Sequence, residues 1–328
     1  MCGIVGIVGK GKAGDAEVAH SARGAAMIWP VTPFARSARR ASSMQTLSEN
    51  AAWNGRCQLS WNSFRPFFVP QPALPNQRKA GWKKSAMPLI LWSLRPSTMR
   101  TYSLAYLTAN ASTVPQAVRM AADLGYAYVG LRVQPNGPGA PYQTLIGDAA
   151  VLRETQAVMR DTGVGVYDLE IIRIGEQFNV ADHSALMDIG QTLGAKAVLI
   201  AADDTHESRL ADHYAALCDA MRPFGLTADL EFMPWTAVKD AQSAMRVIEL
   251  AGRPSNAGIL VDALHFGRST TSLADIAALP RELLHYAQIC DAQAGLNFTT
   301  DALIHTARQE RLLPGEGTID VTGLFATL

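Results

Sequence analysis

The chain has 328 residues with 29 basic and 29 acidic side chains, a length that allows one ordinary domain plus an additional segment. No run reaches the roughly 18 apolar residues of a membrane span, and the four cysteines show neither CxxC spacing nor a disulfide framework. With no secretory signal evident at the N-terminus, these features exclude membrane and disulfide-rich secreted classes, and we expect a cytoplasmic protein.

The balanced charge conceals two unlike parts that meet near Met99. Residues 1–98 contain 13 of the basic but only three of the acidic side chains, so residues 99–328 are net acidic. The first part also holds five of the six tryptophans and shows no sustained helical or strand period. We therefore predict an irregular or disordered basic segment with no independent function over 1–98, followed by a folded domain over 99–328.

The first residues, MCGIVGIVG, resemble the N-terminus of class II glutamine amidotransferases of the glucosamine-6-phosphate synthase type. By that resemblance Cys2, exposed by removal of Met1, would be the nucleophile. The match ends there, and the later glutamine-site motifs of that family are missing from the sequence. Residues 25–31 read AAMIWPV. If their codons are translated in the frame that starts at the third base, they can encode RGYDLAG, which is close to the RGYDSAG expected after such an opening. Our hypothesis is a frameshifted amidotransferase remnant fused to another reading frame.

From Tyr102 onwards, short β-rich runs alternate with longer amphipathic segments. The predicted strands are YSLAYL (102–107), YVGLRV (128–133), GVGVYDLEII (163–172), AKAVLIAA (195–202), LTADLEFM (226–233), AGILVDALHF (257–266) and LHYAQICDA (284–292), with a weak eighth strand at RLLPGEG (311–317). Helices are predicted at PQAVRMAADLG, DAAVLRETQAVMRDTG, DHSALMDIGQTLG, ESRLADHYAALCDAMRPFG and VKDAQSAMRVIELAG. This repetition of βα units predicts an α/β fold, a (β/α)8 TIM barrel. No glycine-rich phosphate loop follows the first strand, which disfavours a dinucleotide-binding fold.

Polar side chains stand at the ends of the last four predicted strands, where a β/α barrel carries its chemistry. They are Glu231, Asp262, Gln288 and Glu316. Clustered buried carboxylates require a compensating positive charge, and an oxygen ligand set favours Mn²⁺ or Mg²⁺, with Co²⁺ and Zn²⁺ as alternatives. The competing interpretation is that each acid pairs with a neighbouring arginine and that Asp262 caps the following helix.

The segments LEFMPW, VDALHF, HYAQICDA and LLPGEG resemble the sugar phosphate isomerase/epimerase family, which has a xylose-isomerase-like barrel. The resemblance covers nearly all of residues 99–328. It implies that Glu231, Asp262, Gln288 and Glu316 hold the metal, that Glu231 and Glu316 also exchange protons with substrate, and that His265 contacts the substrate.

Other residues are candidates for substrate binding. Arg268 and Arg311 could bind a carboxylate or phosphate. Glu170 could reach the barrel mouth as an acid or base, with a salt bridge to Arg173 as the alternative. His285 is a rival of Gln288 as a ligand, but strand alternation sends it to the opposite face.

The expected function is that of a divalent-metal-dependent isomerase or epimerase acting on a sugar or sugar phosphate through an enediolate. Gln288 resembles the third ligand of 3-dehydroshikimate dehydratases more than the usual histidine of ketose epimerases, so a lyase of that kind, or an inosose dehydratase, is the main alternative. An inactive barrel that binds a partner is the alternative of another class. The expected partner is a small carbohydrate, cyclic polyol or keto acid; the acidic domain disfavours nucleic acid. The sequence is compatible with a homo-oligomer.

Overall fold

The computed structural model describes residues 100–295 and 298–328, together with the backbone of Val5–Val8. Its strands form a closed barrel in chain order. They are β1 (Val5–Val8), β2 (Thr101–Leu104), β3 (Tyr128–Arg132), β4 (Gly165–Ile174), β5 (Ala197–Ala202), β6 (Thr227–Glu231), β7 (Ala257–Asp262) and β8 (Tyr286–Ile289). Neighbours from β2 to β8 pair in parallel. The predicted TIM-barrel fold is confirmed.

Strand β1 is antiparallel to both of its neighbours, β2 and β8. Val5 lies opposite Leu104 and Ile289, and Val8 lies opposite Thr101 and Tyr286. Apart from Val5–Val8, residues 1–98 lie outside the described part of the chain. The irregular segment over 1–98, Cys2 as nucleophile and the frameshifted remnant at 25–31 therefore stay predictions.

The predicted eighth strand at residues 311–317 is wrong. That segment forms a single bridge, between Leu312 and Asp291, instead of a ladder. Pro314 has no N–H to donate, and Gly315 has a positive φ of 92°, so the chain turns there. The backbone N–H of Glu316 closes the turn on the carbonyl of Leu313 at 3.0 Å.

Among the described residues, the helices include the five predicted segments and four more. They are α1 (Val114–Asp123), α2 (Ala149–Thr162), α3 (Ser184–Leu193), α4 (Glu207–Met221), α5 (Ala241–Leu250), α6 (Ala263–Arg268), α7 (Leu273–Ala278), α8 (Thr300–Gln309) and α9 (Val321–Thr327). In α2, the Asp148 carboxylate accepts from the N–H groups of Ala150 and Val151, and Gly163 ends the helix with a φ of 76°.

Alternation along the strands separates two apolar layers. Ala228 and Leu230 of β6 belong to the layer between strands and helices, whereas Leu199 and Tyr286 belong to a second cluster inside the barrel. Because successive side chains point to opposite faces, Asp229 and Glu231 of β6 point into the barrel. Within the part of the chain that is described, no helix is long and apolar enough to cross a membrane.

Candidate functional site

Glu231 and Asp262 end the neighbouring strands β6 and β7, and His265 follows in the first turn of α6. All three are buried; Glu231 is 3% exposed and Asp262 is fully buried. Nε2 of His265 lies 3.7 Å from Oε1 of Glu231. One ligand atom from each of the three residues lies within 4.8 Å of the others. The structure therefore brings two predicted ligands together with a histidine that was predicted to contact substrate.

Asp262 fixes the geometry of this group because it also begins α6. Its Oδ1 accepts hydrogen bonds from the N–H groups of Leu264 at 2.7 Å and His265 at 3.4 Å. The predicted strand 257–266 accordingly stops at Asp262, and a helical turn replaces its last four residues. A helix places residues three apart on the same side, so His265 returns to the side of Asp262.

A buried arginine supplies positive charge to the site. Nη1 of Arg311 donates to both carboxylate oxygens of Asp262, at 2.9 and 2.7 Å, and contacts Sγ of Cys290 at 3.0 Å. Its Nε donates to the carbonyl of Ala307 at 2.8 Å. Both competing interpretations of Asp262, a helix cap and an arginine partner, thus hold in this structure. The role of Arg311 in substrate binding stays a prediction, since its guanidinium here binds Asp262.

Burial and this arginine set the ionisation of the three residues. Burial and the nearby Asp262 raise the pKa of Glu231 well above its usual value, and Arg311 opposes them. Burial also works to raise the pKa of Asp262, but Arg311 and His265 overcome it, so that pKa is lowered. Burial lowers the pKa of His265 to about 4. The imidazole is therefore neutral near pH 7.

The donor set fits a divalent cation. His265 is neutral, and its buried Nδ1 has no hydrogen-bond partner among the described residues. Two carboxylates and an imidazole are ligands that Mn²⁺ and Zn²⁺ both accept. Metal–ligand bonds of about 2.0–2.2 Å place donor atoms roughly 3–4.4 Å apart, close to the separations seen here.

Gln288 lies beside Asp262 in the register of β7 and β8, and it is 4% exposed. Its Nε2 donates to Oε1 of Glu170 at 3.3 Å. Oε2 of Glu170 in turn accepts from Nη2 of Arg132 at 2.9 Å. The alternative salt bridge from Glu170 to Arg173 is wrong, because Arg173 has turned outward to Asp203.

Glu316 and Arg268 lie apart from the three-residue group. Glu316 is exposed, and its carboxylate accepts from the N–H of Leu313 at 3.2 Å. Arg268 donates to the carbonyl of Gln293 at 2.5 Å and lies over the ring of Phe298. Gln293 donates to the backbone carbonyl of Glu316 at 3.3 Å, so it connects the two segments. The metal and catalytic roles of Glu316 and the substrate role of Arg268 stay predictions.

Sequence reasoning missed several neighbours of the site. The ring of Trp235 packs edge-on against His265, with centroids 5.0 Å apart. Arg132 belongs to the site through Glu170, and its guanidinium lies over the ring of Tyr106. His265 as a candidate ligand could have been found from the spacing Asp-x-x-His across a predicted strand-to-helix junction. Arg132 and Trp235 carry no comparable sequence signal.

Comparison with known proteins gives a family and a fold. A family model described as xylose isomerase-like TIM barrel matches residues 118–328, more than half of the chain. No curated protein sequence matches. The solved structures named next share only 15–19% sequence identity with this chain, so they show its fold and not its activity.

One such structure is a xylose isomerase-like TIM barrel/4-hydroxyphenylpyruvate dioxygenase fusion protein, with a TM-score of 0.56 and 19% identity over 69% of this chain; the match spans only 36% of the fusion protein. Another is the IolI protein with a binding zinc atom, with a TM-score of 0.55 and 19% identity over 69% of this chain and 83% of that one. A third is a xylose isomerase domain containing protein from Salmonella typhimurium LT2, with a TM-score of 0.50 and 15% identity over 65% of this chain and 78% of that one.

Proposed function

Because the chain belongs to the xylose isomerase-like TIM barrel family, we propose that it is a divalent-metal-dependent isomerase or epimerase of a sugar or sugar phosphate. The observation that carries this proposal is the buried group of Glu231, Asp262 and His265 at the carboxyl ends of β6 and β7. Catalytic residues of this barrel type lie at that end of the strands.

Glu231, Asp262 and His265 would hold the cation, with Gln288 and Glu316 as the further ligands expected from the sequence. When bound, the cation would polarise a substrate carbonyl or hydroxyl oxygen and acidify the adjacent carbon. Mn²⁺ and Mg²⁺ are the ions of first choice. Zn²⁺ and Co²⁺ belong in the test, because the IolI protein of similar fold carries zinc.

The protein's own groups would carry out the proton transfer. Burial raises the pKa of Glu231 above its usual value, and this carboxyl is the proposed group that accepts and returns the substrate proton. Glu316 is the proposed second acid-base group, and it must approach from its exposed turn when substrate binds. As an alternative to holding the cation, His265, packed against Trp235, would contact the substrate oxygen. Arg268 would bind a carboxylate or phosphate of the substrate.

Gln288 favours a second candidate, a dehydratase acting on a cyclic hydroxy-ketone. An amide oxygen in the third ligand position is the feature that the sequence shares with 3-dehydroshikimate dehydratases. Both reactions begin with removal of a proton beside a carbonyl and differ in the fate of the neighbouring hydroxyl group. Loss of water with a new carbon–carbon double bond would identify the dehydratase, and exchange of a carbon-bound proton with solvent without loss of water would identify the epimerase.

The test is a screen of keto-sugars, sugar phosphates, inososes and dehydroshikimate with the full chain and Mn²⁺. Glu231→Gln should lower the turnover of any active substrate by about 10²–10⁴-fold, the usual contribution of a general acid-base group. Glu249→Gln, at an exposed glutamate of α5, is the matched control and should retain full activity. Equal activity in wild type and Glu231→Gln would refute the assignment. A wild-type protein without bound metal, and unaffected by chelation, would support the inactive barrel.

A further inference from the structure

The side chain of Gln288 is held by a carboxylate from the other side of the barrel. Gln288 is on β8, and Glu170 is on β4, four strands away in the order of the closed sheet. Both side chains are buried, at 4% and 3% exposure. The hydrogen bond from Nε2 of Gln288 to Oε1 of Glu170 measures 3.3 Å and is therefore a contact across the barrel interior.

A carboxylate distinguishes the two ends of an amide. The NH₂ group of glutamine only donates hydrogen bonds, and its oxygen only accepts them. An ionised carboxylate only accepts, so it can pair with the NH₂ group and not with the oxygen. If the amide were rotated by half a turn, its oxygen would face the oxygen of Glu170 and the two would repel. Glu170 thus directs the nitrogen of Gln288 toward itself and leaves the oxygen for other partners.

Arg132 holds the other carboxylate oxygen of Glu170. Nη2 of Arg132 donates to Oε2 of Glu170 at 2.9 Å, and an arginine stays charged at any physiological pH. The guanidinium is itself placed by the ring of Tyr106, 4.3 Å below it. The oxygen bound by Arg132 is not the one bound by Gln288, so both contacts exist together.

The oxygen of Gln288 is the atom that matters for a cation. An amide coordinates a hard divalent ion through its oxygen, which carries the available lone pairs, and not through its NH₂ group. Gln288 pairs in register with Asp262, one of the three residues that could hold a metal. A glutamine free to rotate would present the wrong end part of the time, a problem that imidazole and carboxylate ligands do not share.

We propose that Glu170 is a positioning residue: it fixes the amide of Gln288 so that its oxygen serves as a ligand at the site of Glu231, Asp262 and His265. This inference rests on the proposed metal-dependent function. It assigns Glu170 a role different from direct acid-base chemistry, since Arg132 and Gln288 already occupy its two carboxylate oxygens.

The test is calorimetric titration of Mn²⁺ into the full chain after removal of metal by chelation. Glu170→Gln should weaken Mn²⁺ binding by about 10–100-fold, the usual effect of losing a group that orients a ligand. The double variant Glu170→Gln/Gln288→Glu exchanges the two groups. The new amide at 170 can donate to the new carboxylate at 288, which offers the metal an oxygen in either orientation, so binding should return to wild-type strength or better.

Unfolding of each variant in chelator separates folding from metal binding. Glu176→Gln, at an exposed glutamate, is the matched control and should bind Mn²⁺ as wild type does. If Glu170→Gln does not fold, Glu170→Asp gives the same comparison, because its shorter side chain cannot maintain the 3.3 Å contact. Wild-type binding within twofold in the folded variant, or no recovery in the exchanged pair, would overturn the inference alone. Absence of Mn²⁺ binding in the wild type would overturn the proposed function together with it.

Discussion

Replacement of Arg311 by methionine should destabilise the protein strongly and in a way that metal reverses. The side chain is 4% exposed and its partner Asp262 is fully buried. Methionine keeps most of the apolar stem but removes both contacts to Asp262 and those to Cys290 and Ala307. A buried carboxylate is then left with the N–H groups at the start of α6 as its remaining donors.

Removing one partner of a buried ion pair costs about 3–5 kcal/mol. The helix N-terminus still stabilises the carboxylate, so we expect the lower part of that range, about 3–4 kcal/mol. For a domain of this size the corresponding drop in melting temperature is about 6–16 °C. Arg246→Met is the matched control: Arg246 pairs with Glu207 on the surface, and its loss should cost under about 1 kcal/mol.

The loss should also depend on pH. Arg311 is the main group that overcomes burial and lowers the pKa of Asp262. A lowered pKa contributes stability above the unfolded carboxyl value, about 3.9, which is lost as the pH falls through the folded value. Without Arg311, burial raises the pKa instead, so the variant loses stability as the pH rises. The difference between wild type and variant should therefore be largest near pH 7 and shrink toward pH 4.

Urea unfolding in chelator and then in Mn²⁺, at several pH values, measures all three effects. Mn²⁺ should stabilise Arg311→Met more than the wild type, because the cation replaces the missing positive charge beside Asp262. A loss below about 1 kcal/mol would refute the reasoning that the pair is essential. A loss that is the same at every pH would show that packing, and not charge, is the cause.

Two further substitutions, with Gly137→Ala as their control, test the packing beneath the site. Asn256→Ala removes hydrogen bonds to the buried carbonyls of Cys218 and Leu226 and should lower the free energy of unfolding by about 2–3 kcal/mol in urea titration; no loss would mean that water replaces the amide. Gly258→Ala places a methyl group against the side chains of Asp229 and His285. It should lower the free energy of unfolding by about 1–3 kcal/mol or prevent folding. Gly137→Ala meets no atom within 4 Å and should change stability by under about 0.5 kcal/mol in the same assay.

The sequence predicted the barrel because its units are local. Strand and helix periods, with glycines such as Gly163 and Gly194 ending helices, are set by residues close together in the chain. The same locality made Glu231 and Asp262 candidates, since both follow directly on apolar strands. The prediction failed at residues 311–317, where a proline and a glycine turn the chain and β1 completes the barrel.

His265 shows where local reasoning needed one more step. In a continuing strand, His265 would lie on the face opposite Asp262, but Asp262 caps a helix, and the helical turn brings His265 back beside it. The capping signal was visible in the sequence. Its consequence for the candidate ligand group depended on where the strand ended.

The sequence alone determined the family resemblance, the repeated βα units and the strand-end acids, because each depends on a local pattern. Only the tertiary structure decided which groups compensate those acids. Arg311 is separated from Asp262 by 49 positions, and Glu170 from Gln288 by 118. No periodicity connects such residues; closure of the barrel brings them together in a buried interior, where an unpaired charge is most costly and pairing is strongest.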